Sequence, residues 1–65
     1  MENIIANLIA LAIRKHEMFI SLSESGSDLA EAYFNEYLGV VDAVAVAAGV
    51  STMEAYKMVD EVMYA

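Results

Sequence analysis

The stretch AVAVAAGVSTMEAYKMV, residues 43–59, decides the fold, because it holds the end of one helix, a turn and the start of another. Gly49 follows a long apolar run, and glycine is the residue that most readily takes the left-handed conformation found at helix ends. Ser51 and Glu54 have the spacing of a capping box, in which two side chains accept hydrogen bonds from otherwise unpaired backbone N–H groups. We therefore expect one helix to end before Gly49 and the last helix to begin near Thr52.

The apolar run before this turn predicts a second helix over residues 28–48. Nearly every residue from position 40 to position 48 is apolar, with Asp42 as the exception. A helix that is apolar nearly all round is buried on several sides, so we expect this segment at the centre of the bundle. Gly39 lies inside the helix, where glycine costs about 1 kcal/mol relative to alanine, and it predicts a kink or a close helix crossing.

A polar break, SESGSD at residues 23–28, separates this helix from an earlier one. Its serines, glycine and acidic residues favour turns. Ser27 or Asp28 is expected to cap the second helix, and Asp28 as the cap places Glu31 in the first turn, near the positive end of the helix dipole. Upstream, apolar residues recur at three- and four-residue spacing, which predicts a first helix over residues 2–22.

These boundaries predict an all-α protein, with one domain over residues 1–65 and helices at about 2–22, 28–48 and 52–64. The two long helices are joined by a short polar break and should form an antiparallel hairpin, which the shorter C-terminal helix completes as a three-helix bundle. The residues of the third helix expected to face the core are Ala55, Tyr56, Val59, Val62 and Met63.

The composition predicts more apolar surface than one chain buries. Of the 65 residues, 60% are hydrophobic, none is cysteine, and His16 is the only histidine. We therefore expect neither a disulfide nor a metal to stabilise the core. A chain this short buries only about 60% of the surface that its unfolded form exposes. We expect the surplus to pack in a homodimer or larger homo-oligomer. Self-association is expected to use the first helix and part of the second, and the residues predicted to carry it are Ile5, Leu8, Ile9, Phe19 and Ile20.

Membrane insertion is not expected. The uncharged run at residues 3–13 is shorter than the roughly 20 residues of a spanning helix, and Asp42 interrupts the other long apolar run. A signal peptide does not fit, because Glu2 precedes the first apolar run, and Arg14 and Lys15 follow it. We therefore expect a cytoplasmic protein without a membrane partner.

The charge balance favours a basic protein partner. The net charge is −7, and Lys57 is the only basic residue after Lys15. Such a chain repels nucleic acid and anionic lipid and attracts basic partners, although acidic side chains that only keep a protein in solution give the same pattern. The tyrosines are expected to serve as adaptable contact residues: Tyr33, Tyr37, Tyr56 and Tyr64. The predicted partner surface lies on the third helix: Glu54, Tyr56, Lys57, Asp60 and Glu61.

A small residue, a turn glycine and a Val-Ser pair follow one another at the turn before the third helix. Ala45 and Gly49 have the spacing at which two helices touch, and the segment over residues 42–62 resembles the helix-turn-helix of LacI-type repressors. Ala55 stands where that family usually has valine or isoleucine. The resemblance implies a DNA-reading third helix, yet this helix carries several acids and one lysine. Because phosphate contacts supply most non-specific affinity, we do not expect DNA binding.

The sequence offers no constellation for catalysis or metal binding. His16 and Glu17 are neighbours, but adjacent residues of a helix point about 100° apart and do not form a dyad. A metal site in a helical bundle needs a pair such as Glu-x-x-His, and the residue three before His16 is Ile13. We interpret His16 as a polar-face residue and expect no enzyme activity, no cofactor and no metal.

Together these features predict a small acidic, non-enzymatic interaction or regulatory module of phage or mobile-element origin. Two alternatives stay open. One is a degenerate DNA-binding domain in which Arg14, Lys15 and Lys57 come together across a dimer. The other is an acidic mimic of nucleic acid that occupies a basic protein, with a row of carboxylates in place of phosphates: Glu24, Asp28, Glu31 and Glu36.

Overall fold

The computed structural model describes residues 3–65 and contains three helices: α1 (Ile4–Glu24), α2 (Ala30–Ala48) and α3 (Thr52–Met63). Helices α1 and α2 pack against each other more extensively than either packs against α3, and the molecule measures 37 × 20 × 20 Å. No strand occurs in the described part of the chain. The prediction of an all-α, three-helix protein built on a helical hairpin is confirmed.

Both ends of α1 are fixed by local hydrogen bonds. Asn3 Oδ1 accepts a hydrogen bond at 3.0 Å from the backbone N–H three residues later, as helix caps do. At the other end Gly26 has φ 75°, and the Ser27 N–H donates to the Leu22 carbonyl at 2.9 Å. This left-handed closure lets α1 run to Glu24, past the predicted end. The predicted start at residue 2 lies outside the described residues.

The predicted cap of α2 is wrong. The helix begins at Ala30, and its cap position, Leu29, has no side-chain hydrogen bond to the helix. Ser27 Oγ instead accepts from the Leu29 N–H at 3.1 Å, within the turn, and Asp28 is exposed. The Ser27 carbonyl also accepts from the Ala30 N–H at 3.2 Å, so Ser27 closes the short turn that leads into α2, and its side chain does not cap the helix itself. Glu31 does lie in the first turn of α2, as expected.

The turn between α2 and α3 forms largely as predicted. Gly49 has φ 70°, and the Val50 N–H donates to the Ala45 carbonyl at 3.0 Å, which closes α2. Ser51 Oγ accepts from the Glu54 N–H at 3.2 Å, and this bond is one half of the expected capping box. The axis of α3 is inclined at 105° to that of α2.

Among the described residues no single helix is long and apolar enough to cross a membrane. Helices α2 and α3 have sufficient length and hydropathy only when taken together, as this bent pair.

The core consists of small and medium side chains from all three helices. Ala55 and Val59 of α3 are buried as predicted, and Tyr56 and Met63 pack against the core. Val62 is exposed, against expectation, although it lies on the same side of α3 as the buried Ala55; it belongs to the last turn of the helix. The buried residues are Ile9, Ala12, Tyr37, Val41, Val44, Ala45, Ala55 and Val59.

α2 is covered on one side only, so the prediction of burial on several sides is wrong. Val41, Val44 and Ala45 are buried, but Val46 is 84% exposed. The expected close helix crossing at Gly39 is also wrong. Gly39 is exposed, and a Cβ atom added there would meet nothing within 4 Å. Both errors have one cause, since α1 and α3 contact α2 through a single stripe and leave its outer side to water.

Candidate functional site

The predicted partner surface lies on the outside of α3. Glu54, Lys57, Asp60 and Glu61 are exposed, whereas Tyr56 is half-buried. Lys57 Nζ lies 3.7 Å from Glu54 Oε1, and both side chains remain largely in water, so the pair contributes little to stability. Because the one lysine of α3 is beside a carboxylate of the same helix, the surface offers net negative charge to a partner.

Tyrosines from α2 and α3 meet beside this surface. The ring of Tyr37, buried in the core, has its centroid 6.2 Å from that of Tyr56. Burial raises the pKa of the Tyr37 hydroxyl, and the nearby Asp60 carboxylate, followed by the Tyr56 and Tyr64 hydroxyls, raises that pKa further. The Tyr37 ring packs against Tyr56, and Asp60 and Tyr64 continue from Tyr56 at four-residue spacing along α3; we call these four residues the tyrosine–aspartate cluster.

The cluster follows from helix register. Tyr56, Asp60 and Tyr64 are spaced four residues apart, so they lie along one flank of α3. The Tyr64 N–H donates to the Asp60 carbonyl at 2.9 Å, which carries the helical register to Tyr64. Sequence reasoning named the tyrosines as contact residues but did not group them. The four-residue spacing could have added Tyr64, whereas no sequence signal places Tyr37 of α2 against α3.

An aromatic row continues from Tyr37 along the hairpin. His16 lies 5.1 Å from Tyr37 and 6.1 Å from Phe19, measured between ring centroids. Phe19 lies 4.9 Å from Phe34. The interpretation of His16 as a polar-face residue is wrong, because it stands one turn after the buried Ala12 and shares its side of α1.

Glu17 is exposed, so His16 and its neighbour point to different surroundings. Within residues 3–65 no group of three or more histidine, aspartate and glutamate side chains is placed to hold a metal ion. The tyrosine–aspartate cluster offers hydrogen bonding, negative charge and aromatic contact instead.

The residues predicted for self-association differ in exposure. Ile9 is only 8% exposed and belongs to the core of a single chain. Ile5 and Leu8 pack partly against that core, Phe19 is half-buried, and Ile20 is 40% exposed. The large apolar side chains most exposed to water are distributed over all three helices and the turns: Ile4, Met18, Ile20, Leu29, Phe34, Val46, Val50, Met53, Val62 and Tyr64.

The lysine of α1 forms an ion pair with a carboxylate of α2. Lys15 Nζ contacts Glu36 Oε1 at 3.0 Å and lies 5.3 Å from the centroid of the Tyr33 ring. A basic surface shared across a dimer would therefore draw on the exposed Arg14 more than on Lys15 or Lys57. The same contact interrupts the proposed row of carboxylates, since Glu36 is one of its members.

The corner between α2 and α3 joins two helices through a short turn. Residues 49–51 separate the helices, which meet at 105°, within the range of such units. Ala45 and Ala55 are both buried in the core beside this corner. Thr52 Oγ1 lies 3.4 Å from Asp42 Oδ1 and ties the start of α3 to α2. The LacI-type resemblance itself stays a prediction.

Comparison with known proteins found no matching family model, and no curated protein or solved structure with significant similarity to the chain. The function is therefore inferred from the surface chemistry of the chain itself.

Proposed function

We propose that the chain is a small acidic, non-enzymatic module that binds other proteins and associates with a second copy of itself through apolar helix faces. The observation that supports this proposal is the contrast between core and surface. The largest fully buried side chains are valines, whereas Val46 is 84% exposed and Met53 is 70% exposed. Large apolar side chains exposed in this way favour burial against another chain.

Helix α1 is the proposed site of self-association. Ile4, Met18 and Ile20 are exposed on it, and Ile5 and Leu8 are only partly covered by their own chain. A second copy packed on α1 would remove apolar surface from water without opening the core. Ile9 contributes indirectly, because it supports the neighbouring side chains from inside.

Substitution of Ile20 by Glu tests this assignment. We expect the unmodified protein to have the mass of a dimer or larger oligomer at both low and high salt, because salt does not screen apolar contacts. Ile20→Glu places a charge in the interface and should give a monomer with unchanged helicity. The measurement is light-scattering mass, supported by circular dichroism.

The matched control is Ser21→Glu, which adds the same charge at the adjacent exposed position of α1. It should keep the mass of the unmodified protein. An unmodified protein that is monomeric would contradict self-association. An Ile20→Glu oligomer with unchanged mass and melting would contradict the assignment to α1.

A DNA-binding domain is the second candidate, and the 105° corner with its short glycine turn supports it. The chemistry of α3 opposes it, because Glu54, Asp60 and Glu61 are exposed where a recognition helix presents donors to base edges. A carboxylate row that mimics nucleic acid is supported less, since Glu36 is bound to Lys15.

A further inference from the structure

We propose that the tyrosine–aspartate cluster binds a basic side chain, arginine or lysine, of the partner protein. This inference rests on the proposed protein-binding function and specifies its chemistry. A cation is attracted to the face of an aromatic ring within about 6 Å of the ring centroid. A carboxylate beside the ring adds a charge-assisted hydrogen bond. The cluster supplies both groups at the surface of α3.

The geometry of the cluster suits a cation. The half-buried Tyr56 ring packs against the buried Tyr37 ring at a centroid distance of 6.2 Å, which holds Tyr56 in place beside Asp60. Tyr64 is 73% exposed and Asp60 is exposed, which leaves the outer part of the cluster open to a partner. Tyr37 supports Tyr56 from the core, and Asp60 lies between Tyr56 and Tyr64 along the flank of α3.

The chain already holds one cation with the same pair of groups. Lys15 lies over the Tyr33 ring at 5.3 Å and contacts Glu36 at 3.0 Å. On α2 the tyrosine and the carboxylate are three residues apart, and on α3 Tyr56 and Asp60 are four apart, so each pair shares a helix face.

No lysine or arginine of residues 3–65 occupies the second pair. The ion pairs formed within this part of the chain are those of Lys15 with Glu36 and of Lys57 with Glu54. The net charge of −7 gives a basic segment a favourable approach to the molecule. A basic side chain from a partner therefore completes on α3 the arrangement that Lys15 completes on α2.

Titration with tetra-arginine amide tests the proposal, with tetra-citrulline as an uncharged control of similar shape. Amide NMR of the full chain gives both the affinity and the residues that respond. We expect saturable binding of tetra-arginine, shifts centred on Tyr56, Asp60 and Tyr64, and no comparable response to tetra-citrulline.

Asp60→Asn should weaken tetra-arginine binding about ten-fold, because one hydrogen bond to a charged group is lost. The control Glu17→Gln removes the same charge from an exposed position of α1 and should change the affinity less than about two-fold, as expected for a distant screened charge. Equal weakening by the two variants, or no binding by the unmodified chain, would overturn the proposal.

Tyr56→Leu keeps apolar bulk but removes an aromatic face, and it should weaken binding about three-fold to five-fold. Phe34→Leu is the control, since Phe34 lies outside both the cluster and the arrangement of Lys15 with Tyr33 and Glu36. Circular dichroism checks that each variant is folded. If Tyr56→Leu unfolds the chain, the Asp60→Asn result decides, because that substitution is at an exposed position.

The mass measurement separates this proposal from self-association. An oligomer that does not bind tetra-arginine would overturn the cluster and leave self-association intact. If the protein is a monomer that binds tetra-arginine, and Asp60→Asn weakens this binding, self-association is overturned and the binding role of the cluster is supported.

Discussion

Tyr37 belongs both to the core and to the surface chemistry of this protein. Its ring is buried between the helices, with His16 on one side and Tyr56 on another. Burial raises the pKa of its hydroxyl, and the Asp60 carboxylate of α3 raises that pKa further. Tyr37 is thus a core residue that packs against Tyr56 of the predicted partner surface.

The raised pKa of Tyr37 predicts a loss of stability at alkaline pH. Burial is the main cause, followed by Asp60, Tyr56 and Tyr64. Since the pKa in the folded chain lies above the ordinary value of about 10, the contribution of Tyr37 is complete below about pH 10. It is lost as the pH rises from there through the folded pKa, because the unfolded chain ionises first.

Urea unfolding at neutral pH and above pH 10, together with tyrosinate absorbance, measures this effect. Tyr37→Phe should reduce the alkaline loss, and Tyr33→Phe, outside the cluster, serves as the control. An alkaline loss of the same size in Tyr37→Phe and in the unmodified protein would contradict the assignment.

At the level of the elements, replacement by alanine should have opposite effects on stability at the two glycines of α2 and its turn. Gly39 is exposed inside the helix, and an added Cβ atom meets nothing, so Gly39→Ala should stabilise the protein by about 0.5–1 kcal/mol. Gly49 has φ 70°, which alanine adopts at a cost, so Gly49→Ala should destabilise it by about 1–2 kcal/mol. Urea unfolding measures both, and each substitution is the control for the other. Changes of the same sign would show that one assignment is wrong.

The sequence predicts these elements well where their causes are local. Gly49 and Ser51 act on backbone groups a few residues away, so their roles can be read from residue order. The exposure of Val46 and the placement of His16 depend on which side of each helix its neighbours cover. Hydrophobic periodicity does not contain that information when nearly every residue of a segment is apolar. The grouping of Tyr37 with α3 was missed because it is a contact between two helices, which residue spacing within one helix does not encode.

At the scale of the whole molecule, the angle between α2 and α3 favours DNA binding, whereas the net charge opposes it. The corner of α2 and α3 has the angle of a helix-turn-helix, yet the chain carries a net charge of −7. Phosphate binding requires basic side chains that release counterions, and here Lys15 and Lys57 lie beside carboxylates. We therefore expect the angle of the corner alone to be insufficient for DNA binding.

We expect no retardation of duplex DNA by this protein in a gel shift at about 50 mM salt, a condition that favours electrostatic binding. A basic DNA-binding domain of similar size is the positive control. Retardation that fades as salt is added would support the DNA-binding candidate over the proposed interaction module.

The two left-handed turns affect how sequence variation in relatives of this protein should be interpreted. A side chain at Gly26 or Gly49 would have no atom within 4 Å, yet both glycines have positive φ angles. Evolution should therefore preserve glycine at these positions as strictly as it preserves apolar residues in the core. A map of invariant positions would mark them as exposed and constrained, which is also the pattern of a binding surface. At these two positions the constraint would record backbone geometry rather than recognition of a partner.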